Sequence, residues 1–413
     1  MIYNESHYNK DWKTKKLTDL GVFSRGISKH RPRNDPQLFD GGGYPLIQTG
    51  EIKEANLYIT HHSQEYGTFG VKQSKLWDKG TLCITIAANI AETAILSYPM
   101  CFPDSVVGFI ANKRFSSEEF MYYIFNYIKN SVQNAATGSA QDNINIDYLT
   151  SMQFKIPPKS YQDKLVLVLS MIDKKILINE AINDNLQQQL KLMYDYWFTQ
   201  FDFPNEDGKP YRKSGGAMVW NKDLQREIPL GWECCTLDDI LTKNANPFDY
   251  QTTEPTIDLS VMPSASIALD KLNISDSFST NLFTMMEGDI MFGSIRPYLK
   301  KAGIAPCNGV FAGTIYSYSV KRPRDYNFAL FTLCRDAFFD YAVRVSSGTK
   351  MPVISSENLL AYKTPYSAKI AEQFNVIDVK NVICKNVQEI QQLTKLRNWL
   401  LPMLMNGQAT ISD

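Results

Sequence analysis

Apolar residues recur at alternating spacings of four and three in two long stretches of the chain, Leu165 to Trp197 and Val376 to Leu400. This period predicts two long helices with apolar seams of the coiled-coil kind, the second ended by Pro402 and Gly407. The residues predicted to pair the helices are Leu165, Leu169, Ile172, Ile176, Leu186, Leu190, Ile383, Ile390, Leu393 and Leu400. We favour pairing of the two helices with each other over the alternative that each one covers its own domain.

The seams also contain asparagine, at Asn179 and Asn183 in the first helix and at Asn386 in the second. An asparagine buried between helices costs stability but fixes their register. A helix of about 40 residues is about 60 Å long, which suits a spacer better than a core element.

The chain repeats the same order of elements with a period of roughly 200 residues. Each half opens with a tryptophan, Trp12 or Trp232, followed by a short amphipathic stretch. A glycine turn and β-favouring segments follow, then an aromatic helical stretch, a small-residue turn and a strand that contains proline. The order is the same twice, which predicts two domains of one fold.

These patterns predict an α+β protein with two tandem mixed α/β globular domains, each followed by a long helix. The helices are expected to pack as an antiparallel coiled coil. The predicted boundaries are 1–158 for the first domain, 159–202 for its helix, 203–227 for a linker rich in turn formers, 228–366 for the second domain, and 367–413 for the second helix and tail.

Composition restricts the class of protein. With 44% hydrophobic and 21% charged residues the chain has the composition of a soluble protein, and it has no apolar run long enough for a membrane span. The first residues lack the apolar core of a signal peptide, and the seven cysteines form no Cys-x-x-Cys pair, so we expect reduced thiols in a cytoplasmic protein.

Net charge is zero, with 43 basic and 43 acidic residues, whereas a DNA-binding protein usually has a positive surface. The charges are unevenly placed, because residues 10–33 contain eight Lys or Arg against two Asp. Since local patches set the field that a phosphate backbone meets, the zero total does not exclude DNA binding.

Three motifs resemble catalytic signatures. Residues 246–250 (NPFDY) are similar to part of an adenine-methyltransferase motif but lack its second proline and a cofactor-binding glycine loop. Asp40 with Glu51 and Lys53 imitates a nuclease metal set. His61 and His62 lie beside no acidic or cysteine ligand at suitable spacing. Since none of the three occurs in both halves, we expect no catalytic residues and no metal site.

Several stretches, in order along nearly the whole chain, resemble those of the specificity subunits of type I restriction–modification systems. They are YPLIQTGEI (44–52), ATGSAQ (136–141), the linker, IPLGWE (228–233), DIMFGSIRPYLKKAGIA (289–305), SGTKMP (347–352) and LLPMLMNG (400–407).

The resemblance implies that each repeat is a target-recognition domain for one half of a split sequence in double-stranded DNA. It implies that the helices set the spacing and bind two methyltransferase subunits, to which restriction (translocase–nuclease) subunits join. The chain would bind no cofactor; its methyltransferase partner would use S-adenosylmethionine.

Candidate DNA-binding residues were chosen by type and by position in the recurring turns, because Arg and Lys suit guanine and phosphate while Asn and Gln suit adenine. In the first domain they are Arg25, Lys29, Gln48, Thr49, Lys72, Asn89, Ser139 and Gln141. In the second domain they are Arg296, Lys300, Lys301, Thr349 and Lys350. A structural role for Arg296, which precedes a proline, stays open, as do two other functions, a helical scaffold or adaptor and a self-contained DNA methyltransferase.

Overall fold

The computed structural model describes residues 2–87, 89–137, 146–249, 251–278 and 280–411. The chain divides into two compact units, the first formed by residues 1–177 with 393–413 and the second by residues 178–392. Each unit holds one mixed α/β domain and a segment of both long helices. In the part of the chain that is described, no helix is both long and apolar enough to cross a membrane.

Among its described residues, the domain of the first unit has short strands and four α-helices. The strands are β1 (Lys13–Lys16), β2 (Gly21–Arg25), β3 (Tyr44–Leu46), β4 (Tyr58–Ile59), β5 (Gln64–Tyr66), β6 (Leu76–Trp77), β7 (Leu82–Thr85), β8 (Thr93–Leu96), β9 (Met100–Cys101), β10 (Val106–Ala111) and β11 (Gln153–Ile156). The helices are α1 (Thr49–Glu54), α2 (Thr68–Lys72), α3 (Glu118–Thr137) and α4 (Ile146–Ser151).

These strands form sheets in the orders β2-β10-β7-β8-β4, β5-β3-β9-β6 and β1-β11. Strand β7 is buried along its whole length. Leu82 and Ile84 belong to the cluster that includes α3, whereas Cys83 packs with Trp77 and Phe102 on the other face. Because both faces are covered, the strand is a continuous apolar run without the alternation of a half-exposed strand.

The domain of the second unit has the strands β12 (Met218–Asn221), β13 (Arg226–Pro229), β14 (Glu233–Thr236), β15 (Leu241–Asn244), β16 (Pro255–Ile257), β17 (Asn273–Ile274), β18 (Leu282–Met285), β19 (Ile290–Gly293), β20 (Ala302–Ile304), β21 (Gly309–Ala312), β22 (Ile315–Val320) and β23 (Lys363–Tyr366). Its helices are α6 (Tyr326–Cys334), α7 (Asp336–Val345), α8 (Ser356–Leu360) and α9 (Ala368–Phe374). In the order of elements along the chain, α6 of the second domain corresponds to α3 of the first.

The strand orders of the second domain repeat those of the first. The sheet β15-β22-β19-β20 corresponds to β2-β10-β7-β8, the sheet β17-β16-β21-β18 to β5-β3-β9-β6, and the pair β14-β23 to β1-β11. In the second of these pairs of sheets the two middle strands, β3 with β9 and β16 with β21, are parallel. The predicted fold of two tandem domains with long helices is therefore confirmed at the level of strand order.

The long helices are α5 (Lys159–Tyr194), which continues as a wider turn over Asp195–Thr199, and α10 (Val379–Met405). In the first unit the Tyr161 hydroxyl donates to the Ala409 carbonyl, and Asp173 contacts Arg397. In the second unit Asn179 donates to Glu389 over 2.7 Å, and Asn183 accepts from Asn386 over 2.8 Å.

Within each unit, residue numbers along α5 rise as those of their partners on α10 fall, so the segments run antiparallel, as predicted. Most of the residues predicted to pair the helices are buried, while Leu186, Leu393 and Leu400 are partly exposed. Asn183 and Asn386, one from each seam, meet inside the second unit and bond to each other, whereas Asn179 bonds to Glu389.

The second long helix differs from its prediction at both ends. Residues 375–378 separate α9 from α10, and Val376 is exposed, because the Asn327 amide bonds to the carbonyls of Phe374 and Ile377 and holds the chain out of a helix. At the other end the helix continues through Pro402 and ends at Met405, just before Gly407 adopts a positive φ of 79°.

The predicted linker also contains regular structure. Strands β12 and β13 form an antiparallel hairpin within residues 218–229. The ring of Phe203 stacks on Tyr211 and on Trp232, the tryptophan that opens the second repeat. The segment is therefore packed against the second domain.

Candidate nucleic-acid interface

A loop formed by residues 26–35, which we call the basic loop, follows β2 at the surface of the first domain. Gly26 donates from its backbone to Val106 over 2.8 Å, and Lys29 does so to Gln73 over 3.0 Å. A Cβ atom at Gly26 would lie 2.2 Å from the Pro103 carbonyl oxygen, so only glycine fits this close approach. The loop is thus fixed to the domain at both of these points.

Three arginines in and beside the basic loop surround one aspartate. The Arg33 guanidinium lies 2.6 Å from a carboxylate oxygen of Asp104 and that of Arg31 lies 3.6 Å from the other, while Arg25 donates to the Asp104 carbonyl. All three arginines are exposed. Because one carboxylate cannot neutralise three guanidinium groups, a positive surface remains.

Two predicted lysines lie at the same place. Lys29 is exposed in the basic loop, and Lys72 is the exposed last residue of α2, adjacent to the Gln73 that anchors Lys29. The structure thus brings Arg25, Lys29 and Lys72 together, although 47 residues separate Arg25 from Lys72 in the chain. Arg31 and Arg33 are not among the residues predicted from the sequence, where only the density of basic residues over 10–33 indicates them.

A cleft of about 400 Å³ separates the basic loop from Gln48. Arg33 and Asn34 line it together with Gln48 and Gln64, whose side chains are joined by a hydrogen bond of 2.9 Å. Gln48 precedes α1 and Thr49 is the first residue of that helix. Amide groups therefore lie across the cleft from a guanidinium group, a combination that can bond to base edges and to phosphate.

The remaining candidates of the first domain lie elsewhere. The Asn89 side chain accepts from Lys53, near the C-terminal end of α1, and does not line the cleft. Ser139 and Gln141 lie outside the described residues.

The second domain presents a different surface, which we call the hairpin surface. It consists of the turn Arg296–Lys300 and the loop 346–353. Arg296 donates from its backbone to Pro352 over 2.7 Å, and Ser347 and Val353 bond to each other through both of their backbone groups. Arg296, Thr349 and Lys350 are all exposed on these two segments, so three candidates chosen separately come together here.

Apolar side chains are exposed on the hairpin surface as well. Tyr298 and Met351 are about half exposed, and Leu299 and Val353 are exposed by more than a third. Arg296 and Lys300, at the two ends of the turn, both have φ of 52°, a left-handed conformation that costs a residue with a Cβ atom about 1 kcal/mol or more. No pattern in the sequence indicates the apolar residues beyond their position in the motifs RPYLKK and SGTKMP.

Lys300 and Lys301 are engaged within the domain. The Lys300 ammonium lies 2.6 Å from Asp336, which raises the pKa of Lys300, and Asp336 also pairs with Lys191. The Lys301 ammonium donates to the Leu259 carbonyl. Lys300 and Lys301 are therefore bonded within the domain, whereas Thr349 and Lys350 on the loop 346–353 are exposed.

The motifs that resemble catalytic signatures have structural partners. Asn246 and Phe248 pair through their backbones with β18, so residues 246–248 of the NPFDY stretch extend a sheet edge, while Tyr250 lies outside the described residues. Burial acts to raise the pKa of Glu51, but hydrogen bonds from Ser63 and from backbone groups lower it, and Glu51 accepts from the Gln48 backbone at the start of α1. His62 contacts Tyr98 and Glu65. Among the described residues, no three acidic, His or Cys side chains are placed to hold a metal ion.

Comparison with known proteins shows which family the chain resembles. Residues 9–188 match the model of the type I restriction modification DNA specificity domain. The chain is 24% identical to the type I restriction enzyme MjaIX specificity subunit of Methanocaldococcus jannaschii, over 98% of this chain and 95% of that one. It is 22% identical to the type I restriction enzyme EcoDI specificity subunit of Escherichia coli, over 89% of this chain and 80% of that one.

The fold is also similar to a solved structure. The S subunit of a type I restriction–modification system from M. genitalium matches over 100% of both chains, with a TM-score of 0.57 and 14% sequence identity. The resemblance to type I specificity subunits that the motifs indicated is therefore confirmed.

Proposed function

We propose that the chain is the DNA sequence-recognition subunit of a type I restriction–modification complex, with one domain for each half of a split target and no catalytic residues of its own. The observation that carries this proposal is the repeated domain, whose two copies each expose a cationic surface on loops, the basic loop in one and the hairpin surface in the other. The similarity to specificity subunits supports it. A cytoplasmic location, where DNA is accessible, follows from this function.

The helix pair is proposed to set the number of unread base pairs between the half-sites. Helix α5 has 36 residues, which corresponds to a length of about 54 Å, or about 16 base pairs of B-DNA. A pair of helices fixed by buried asparagine contacts resists bending and sliding better than a single helix, as a spacer requires.

The partners are proposed to be two methyltransferase subunits, which use S-adenosylmethionine to methylate adenine, and restriction subunits that join them. Apolar residues exposed on α5, Leu167 and Met171 in the first unit and Ile178 and Ile182 in the second, support binding of other subunits along the helix. This chain is expected to bind no cofactor.

Methyl transfer tests the proposal directly. The purified chain, alone and in complex with a methyltransferase subunit, is incubated with labelled S-adenosylmethionine and DNA of mixed sequence, and the modified adenines are mapped. We expect no transfer by the chain alone and modification of a single split sequence by the complex. Transfer by the chain alone would identify a self-contained methyltransferase, and a complex without sequence preference would favour a scaffold.

A further inference from the structure

One glutamine of α5 bonds to the main chain of the second domain through both ends of its amide. The Gln187 Nε2 atom donates to the Ala265 carbonyl over 2.7 Å, and the Ile267 N–H donates to the Gln187 Oε1 atom over 2.8 Å. The side chain thus bonds to the backbone groups of Ala265 and Ile267, as a neighbouring β-strand would. Since Ile267 is buried, its N–H would lack a partner without this amide, which costs stability.

Two glutamines of α10 make similar contacts. Gln388 donates to the Pro306 carbonyl over 2.7 Å, and Gln391 donates to the Asp270 carbonyl over 2.9 Å. We call Gln187, Gln388 and Gln391 the glutamine clamp. The partners of Gln187 and Gln391 in the domain are main-chain groups, while Gln388 also donates to the Glu287 carboxylate over 2.8 Å. The clamp therefore depends mainly on the backbone of the domain and little on the side chains that the domain carries for recognition.

The clamp is connected by main-chain bonds to the hairpin surface. Ala265, held by Gln187, donates from its own N–H to the Lys300 carbonyl over 2.8 Å, and Lys300 ends the turn that begins at Arg296. Lys191, one helical turn after Gln187, reaches the same turn by another route, because it pairs with Asp336, which pairs with Lys300. Two residues of one helix face thus hold the turn that carries Arg296.

We propose that the glutamine clamp, with Gln187 as its main member, fixes the position of the DNA-contacting turn on the helix pair and so determines which spacing between half-sites the complex accepts. The inference rests on the proposed function. Gln187 touches no DNA in this scheme and is a positioning residue. If its role were only structural, its loss would lower stability and leave the accepted spacing unchanged.

The test compares Gln187→Ala, and the triple variant Q187A/Q388A/Q391A, with the control Q188A/Q189A. The control removes two exposed glutamines of the same helix, adjacent to Gln187. Each full-length chain is assembled with methyltransferase subunits and given DNA that carries the wild-type half-sites at spacings varied one base pair at a time. Methylated adenines are counted by sequencing, and thermal melting reports folding.

We expect the wild-type and control complexes to prefer one spacing over its neighbours by about tenfold or more, which corresponds to a difference of about 1.4 kcal/mol. The clamp variants are expected to lose most of that preference while the bases read in each half-site stay the same. Faster amide hydrogen exchange at Ile267 in Gln187→Ala is expected to accompany the change.

An unchanged spacing preference in Gln187→Ala, or unchanged exchange at Ile267, overturns the inference. A change in the bases of a half-site with an unchanged spacing overturns it too, because Gln187 would then act on recognition itself. Absence of any split-site methylation by the wild-type complex instead overturns the proposed function. If the triple variant does not fold, the spacing preference of Gln187→Ala and its amide exchange at Ile267 still test the inference.

Discussion

The contact between Asp173 and Arg397 allows the sharpest prediction about stability. Asp173 is 2% exposed and accepts from the Tyr123 hydroxyl over 2.6 Å and from Arg397 over 2.8 Å, so one carboxylate of α5 joins α3 and α10 in the first unit. Burial acts to lower the pKa of Arg397, but the bond to Asp173 outweighs it and raises that pKa. Arg397→Ala leaves a buried carboxylate with only a tyrosine hydroxyl, which costs about 3 kcal/mol.

That loss corresponds to a drop in melting temperature of roughly 6 to 12 °C for a unit of this size. Differential scanning calorimetry measures it, with Lys159→Ala as the control. Lys159 also pairs with an aspartate, Asp163, on α5, but Asp163 is exposed and Lys159 is only partly buried, so the control is expected to cost at most about 0.5 kcal/mol. A double-mutant cycle with Asp173→Asn isolates the pair. The contact would be shown not to stabilise the unit by either of two results. One is that the stability losses of the two single variants add up to that of the double variant; the other is a melting temperature for Arg397→Ala within about 1 °C of the control.

Three further predictions follow from contacts in the second unit. Asn386→Leu leaves the Asn183 amide without its partner and is expected to cost about 1 to 3 kcal/mol, whereas the double variant with Asn183→Leu recovers most of that in a denaturation experiment. Burial raises the pKa of Cys384 from 9.0 to about 12. The protonated thiol therefore contributes its full stability below pH 9, and this contribution is lost as the pH rises towards 12. In Cys384→Ala, the melting temperature is expected to change less with pH over this range. Lys350→Ala is expected to reduce the slope of log affinity for DNA against log salt by about 0.9 if Lys350 contacts phosphate, while Arg296→Ala alters the bases read if Arg296 contacts them; an unchanged slope and motif would remove both from the interface.

The sequence predicted the fold well because the fold depends on periodic patterns. The heptad seams gave the long helices, and the matched order of turns and strands gave two domains of one topology. The errors lie where a distant side chain decides the local structure. Asn327 interrupts the second helix by bonding to the carbonyls of Phe374 and Ile377, about 50 residues further along the chain, and no pattern within the helix indicates this.

Seam positions also concealed an ion pair. Arg397 occupies a position of the second seam where an apolar residue is expected. The heptad spacing does not explain why a charged residue stands there. Its partner Asp173 follows Ile172, a seam residue of the first helix, and the third member, Tyr123, comes from the aromatic stretch of α3. Three separate segments must fold before the charge has a partner, which is why the sequence could not reveal it.

The candidate interface was predictable by region but not by residue. Composition located the basic segment at residues 10–33, yet Asp104, which bonds to its arginines, lies more than 70 residues away in the turn before β10. In the second domain the pairing of the turn Arg296–Lys300 with the loop 346–353 joined candidates that had been chosen independently. Long-range backbone pairing, rather than residue type, determined which of them are neighbours.

The two domains share strand order but not the side chains that surround it, and this difference bears on function. Their sheets are specified by main-chain pairing and by buried apolar residues, both of which tolerate change in exposed loops. The first domain exposes arginines around Asp104 beside a cleft lined by amides, whereas the second exposes Tyr298 and Met351 beside Arg296 and Lys350. Guanidinium and amide groups suit polar base edges, and apolar groups suit thymine methyl groups. A repeated frame with two unlike surfaces is therefore expected to recognise two half-sites of different sequence, so that the target as a whole is asymmetric.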